Sequence, residues 1–167
     1  MKKPNEKVLF LLTSFCFPCL ILLSPKILSL QGIGPCWSVL WLLPWSLAKG
    51  RTFGIFSGLC LGLFLDGISM SGASHIPAMI FLGFWWGQIG SQGKKIDLIF
   101  NLGLLALIGA IIFGFSLWIQ IYFLDGHIWS DWFNSWAFHT VLAQSILTGL
   151  IAPATCSWIL LAKRNMK

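Results

Sequence analysis

The chain has 167 residues, of which 57% are apolar and only 10% charged, and its mean hydropathy is +0.83. An ordinary soluble domain has about 45–50% apolar and about 25% charged residues, so too few charges are present to solvate a globule of this size. That excludes a disordered chain, a collagen-like chain, a disulfide scaffold and almost any soluble enzyme, and leaves a polytopic membrane protein. The net charge of +6 does not point to nucleic acid, because the eleven Lys and Arg residues sit in small groups between apolar stretches. Membrane proteins mark their cytoplasmic side in this way.

Six apolar stretches follow in chain order: Val8–Leu23, Ile33–Ala48, Thr52–Ile68, Ile76–Ile89, Leu98–Leu124 and Trp136–Ala162. Lys2, Lys3 and Lys7 before the first look like the start of a signal peptide. No small-x-small cleavage site follows, so an uncleaved first helix is expected. Cys16 and Cys19 in that stretch enclose Phe17 and Pro18. A redox or metal pair needs thiolates in a polar, partly exposed setting, so these read as small apolar residues. Cys36, Cys60 and Cys156 have no companions at metal-ligand spacing.

The second, third and fourth stretches are short against the roughly 20 residues of a full span. They tilt less than average, lie where the bilayer thins, or are partly buried in protein. Trp37, Trp41 and Trp45 recur every four residues on the second stretch, a stripe for core or lipid packing or for a partner helix. Trp129, Trp132 and Trp136 flank the loop before the last stretch, where an interfacial belt is expected. With the N-terminus inside, alternate loops place ten basic residues in the cytoplasm and Lys26 alone outside. The expectation is one all-α domain over residues 1–167, with six transmembrane helices and both termini cytoplasmic.

The third stretch is the most informative. Gly54, Gly58, Gly62 and Asp66 recur every four residues and define one slowly drifting helix face. Glycines in this register let another backbone come close, from within the bundle or from a partner. Gly83 and Gly87 continue the pattern in the fourth stretch, ahead of Gln88 and Gly90. Asp66 lies on the order of 20 Å along its helix, at or near the outer edge of the span. A carboxylate there must find donors, and backbone N–H groups, Ser69, Ser71, Ser74 and His75 are at hand. Two roles fit: an anchor for a protein or ligand, or a cap on the start of the next helix across the short Ser-Gly loop.

The fifth stretch has Gly103, Gly109 and Gly114 without a strict register, and Asn101 and Gln120 near its ends. In the last stretch His139, Gln144 and Thr148 read as roughly one polar face, accompanied by Thr140 and Ser145. With His75 they can line a cavity or form interhelical hydrogen bonds.

No constellation points to catalysis. Ser71 and His139 do not stand in the G-x-S-G context of an intramembrane serine protease, and Gly67-Ile-Ser69-Met lacks the final glycine. His75, His127 and His139 are scattered, and no zinc-protease helix motif, P-loop or dinucleotide fingerprint occurs. No enzyme activity, metal or cofactor is expected.

From Gly58-Leu-Cys-Leu-Gly62-Leu-Phe-Leu-Asp66, through the Gly-Ser loop to the apolar helix at Ile76, the sequence resembles MreD, the rod shape-determining membrane protein of bacteria. The aliphatic-Asp pair Leu65-Asp66, the preceding Pro44-Trp45, the basic turn at Lys49 and Arg51 and the basic tail at Lys163-Arg164 carry the likeness. It is best over Ile33–Gly90. Gly67 departs from it, since the family often has an aliphatic residue after the Asp, and so does the high tryptophan content.

The resemblance implies a bundle like the substrate-binding subunits of energy-coupling-factor vitamin transporters, in the bacterial inner membrane. It implies a non-enzymatic scaffold of the cell-elongation complex that supports side-wall peptidoglycan synthesis. Its partners would be an MreC-like protein, membrane lipid and, indirectly, the MreB filament and wall-synthesis enzymes. The alternative is a transporter substrate-binding subunit, with Asp66, His75, Asp131, His139 and Gln144 as convergent polar groups. The outer loops hold no arginine and only Lys26, which serves an anionic substrate poorly.

Overall fold

The computed structural model describes residues 34–69, 72–91, 99–125 and 135–164, all helical apart from short connections. Five helices result: α1 (Trp37–Lys49), α2 (Arg51–Ile68), α3 (Ile76–Ser91), α4 (Ile99–Asp125) and α5 (Ser135–Arg164). Several residues raised above lie outside the described ones: Lys2, Lys3 and Lys7, the first apolar stretch with Cys16 and Cys19, Lys26, Ser71, His127, Trp129, Asp131 and Trp132. So do the side chains of Trp136, Lys163 and Arg164. Among the described residues three helices are long and apolar enough to cross a membrane: α2, α4 over Asn101–Ile121 and α5 over Phe138–Leu161. Between 22% and 33% of each of these windows is buried within the protein. The rest is an apolar exterior that water would not tolerate and lipid would.

Helix α1, with 13 residues, is shorter than the roughly 20 of a full span and is enclosed by protein, touching all four other helices. Every residue from Ser38 to Ser46 is buried, as expected for a helix with no polar face. Trp41 and Trp45 lie inside the core with their rings 6.4 Å apart, and Trp37 packs at its edge. The tryptophan stripe is therefore core packing rather than a lipid face. Pro44 has no N–H to give the Leu40 carbonyl one turn back. The Cys156 thiol of α5 approaches that carbonyl at 3.9 Å. The helix stops at Gly50, whose φ of +89° suits glycine and whose N–H donates to the Ser46 carbonyl.

Helices α2 and α3 form an antiparallel hairpin, and α4 and α5 a second. Gly109 of α4 makes room for the indole of Trp86 from α3, joining the two hairpins. The alternating directions gather the Lys49–Arg51 turn, the end of α3, the start of α4 and the end of α5 at one end of the bundle. Asp66, the start of α3 and Gln120 lie at the other.

Candidate functional site

The glycine stripe on α2 is filled from within the chain. A Cβ on Gly54 would collide with the Gly83 carbonyl, and one on Gly83 would collide with the Gly54 carbonyl. Further along, Gly58 faces the Met79 carbonyl and Gly62 faces the Ile76 backbone, whose Cα would lie 2.7 Å from an added Cβ. At the basic end a Cβ on Gly87 would lie 2.6 Å from the Arg51 Cα, and one on Gly90 would collide with the Leu47 carbonyl of α1. The two backbones touch along the whole hairpin. Such contact yields dispersion and Cα–H···O contacts, the attractions that remain where lipid removes the hydrophobic drive between helices. Of the two readings of the stripe, packing within the bundle is the one observed.

At its far end the stripe delivers Asp66 to the start of α3. Oδ1 accepts the His75 backbone N–H and a bond from His75 Nδ1, both at 2.6 Å, and Oδ2 accepts the Ser74 hydroxyl at 2.7 Å. The carboxylate thus caps a helix whose first N–H groups have no intrahelical acceptors and whose dipole favours negative charge there. Ser74 Oγ also accepts the Ile76 N–H at 3.3 Å. Ser69 turns back instead, donating its hydroxyl to the Leu65 carbonyl at 2.8 Å. The His75 ring rests 5.6 Å from that of Phe113 on α4. His75 Nδ1 thus lies 2.6 Å from Asp66 Oδ1 and 3.4 Å from Ser69 Oγ.

Gln120 is the residue that sequence reasoning undervalued. Its Oε1 accepts the Ser74 N–H at 2.7 Å and its Nε2 donates to the Ser74 carbonyl at 2.8 Å. One side-chain amide therefore satisfies both backbone groups of a residue on the other hairpin. Nε2 also donates to Ser116 Oγ at 3.3 Å, one turn earlier on α4. The only advance sign was a lone amide near the end of an apolar helix.

The polar stripe of the last helix divides. His139 is exposed, Gln144 is half-buried and Thr148 is wholly buried. Residues 139 and 148 are about two and a half turns apart, on opposite sides of the helix, so only Gln144 and Thr148 share a face. Thr148 Oγ1 donates to the Gln144 carbonyl at 2.6 Å and accepts the Cys36 N–H at 2.9 Å. It thereby fixes the start of α1 to α5 by an interhelical bond. Among the described residues no group of three or more His, Cys, Asp or Glu could hold a metal ion.

No family model matches the chain, and neither a curated protein nor a solved structure matches it.

Proposed function

We propose that this chain is a non-enzymatic scaffold in the bacterial inner membrane, acting in the cell-elongation complex as the resemblance to MreD implies. One observation carries the reading: three polar side chains of the bundle hold helices to one another. Asp66 joins α2 to α3, Gln120 joins α3 to α4, and Thr148 joins α5 to α1. A solute site of the vitamin-transporter kind needs polar groups that converge on a cavity and are left for the ligand. Here Asp66 and His75 face each other at hydrogen-bond distance, while His139 lies on the outside. The proposal includes six spans with both termini cytoplasmic, Val8–Leu23 supplying the span beyond the described helices. It places the Lys49–Arg51 turn inside and Asp66 outside, in line with the positive-inside rule.

The test is co-purification in nanodiscs from a rod-shaped bacterium that makes the protein, with mass spectrometry of everything retained. Recovery of an MreC-like protein or wall-synthesis enzymes is the expected result. Recovery of an ATPase pair or a bound vitamin would replace the scaffold with the transporter subunit.

A further inference from the structure

The exposed apolar band of this protein differs in height from one flank to the other. On α2 it comprises Phe56, Leu59, Cys60, Leu63 and Phe64, with Ile68 past its end. It lies between two polar boundaries, Arg51 and Asp66. From residue 51 to residue 66, at about 1.5 Å per residue, those boundaries are about 22 Å apart. On α5 the exposed apolar residues run from Phe138 to Leu161, which is about 34 Å by the same rise. On α4 they run from Leu104 to Phe123, about 28 Å. A typical hydrocarbon core is about 30 Å thick. The α4 and α5 flank matches it, and the α2 flank falls short by about 8 Å.

Neither boundary on the short flank can yield. Long basic side chains usually relieve such a mismatch by reaching outward to the headgroups. Arg51 instead lays its guanidinium 4.5 Å over the Phe84 ring of α3, and Lys49 places its ammonium 4.5 Å from the Phe53 ring. At the other end Asp66 is held by Ser74 and His75, and the Ser74 backbone is held by Gln120. Sliding the hairpin cannot help, since sinking one end lifts the other. Tilting would lower the band further. The remaining response belongs to the bilayer.

We propose that the α2–α3 flank is a lipid-thinning surface, whose occupant is a layer of phospholipid acyl chains compressed to about 22 Å, while the α4–α5 flank sits in bilayer of normal thickness. The protein then stands at a step in membrane thickness and favours short-chain lipid along one side only.

The native Cys60 provides the probe, being exposed on the α2 band. In a Cys16→Ser, Cys19→Ser background, a nitroxide on Cys60 is compared with one at Leu150→Cys, made with Cys60→Ser in addition. Leu150 is 73% exposed, near the middle of the α5 band. Depth is read from oxygen against nickel-chelate accessibility in vesicles of dimyristoleoyl, dioleoyl and dierucoyl phosphatidylcholine. In dioleoyl vesicles Cys60 should lie about 9 Å from the nearer aqueous boundary, roughly 6 Å shallower than Leu150. Moving to dierucoyl lipid should deepen Leu150 and leave Cys60 where it was. Equal depths that increase together would overturn the proposal. Low oxygen accessibility at Cys60 would also overturn it, because protein rather than lipid would then cover α2.

Discussion

The two hairpins solve the same problem in different ways. In α2–α3 the backbones themselves touch, with glycine carbonyls facing glycines in register and a carboxylate closing the far end. In α4–α5 the backbones approach only where Gly103 and Gly149 face each other's carbonyls, beside the Pro153 ring; elsewhere the contact runs through side chains, with Val141 methyls against Gly114 and Leu107 against Gly149. A backbone cannot move aside locally, whereas a side chain can change rotamer. The first hairpin should therefore be intolerant of added volume and the second more forgiving away from Gly103, although both count glycines at their seams.

The largest effect expected of a single added methyl follows directly. Gly83→Ala puts a methyl group into the Gly54 carbonyl and should cost about 3 kcal/mol, the upper part of the range for overpacking. Thermal unfolding in nanodiscs would show it as a large drop in midpoint. At the closing end, Asp66→Ala leaves the His75 N–H and the Ser74 hydroxyl without their acceptor. The site is partly exposed, so about 2 kcal/mol is expected. Asp66→Asn keeps one acceptor oxygen and should lose about half of that. An Asp66→Asn protein with unchanged stability would remove the carboxylate from the account.

Between the hairpins, Gln120→Leu deletes both bonds to the Ser74 backbone and should cost about 1 kcal/mol. Its signature is local: faster hydrogen exchange at the start of α3, with the middle of the α2–α3 seam still protected. The smallest effect belongs to the forgiving hairpin. In Gly114→Ala the new methyl meets Val141 Cγ1 at 2.9 Å and Cγ2 at 3.1 Å, and a small shift of that one side chain relieves both. Loss below about 1 kcal/mol is expected, with any gain in helix propensity set against it.

The contrast also separates what the sequence made legible from what it hid. The strict four-residue spacing of Gly54, Gly58 and Gly62 marks one face, and that face is the seam. Ser74 and His75 were readable as donors to Asp66 because a loop of a few residues keeps them close. Gly103, Gly109 and Gly114 lack a register for a physical reason: Gly109 receives Trp86 from α3, while the other two face α5. No single period can describe a helix that serves two neighbours.

The Gln120–Ser74 clamp joins residues 46 positions apart, so nothing local announced it. The burial of α1 was only half visible. Its length and its lack of a polar face allowed it, but the way its neighbours enclose it is a tertiary fact. His139 was misassigned to the Thr148 face because nine residues along a helix reverse the direction of a side chain.

The most direct test of the account is the folding of Gly58→Leu, since Gly58 faces the Met79 carbonyl at the middle of the seam. Size-exclusion behaviour and thermal unfolding of the purified variant would be read together. The account predicts no monodisperse folded peak, because the seam is internal and has no room for a side chain. A folded protein with an unchanged midpoint that had lost its co-purifying partners would contradict it, and would place that glycine face against another chain.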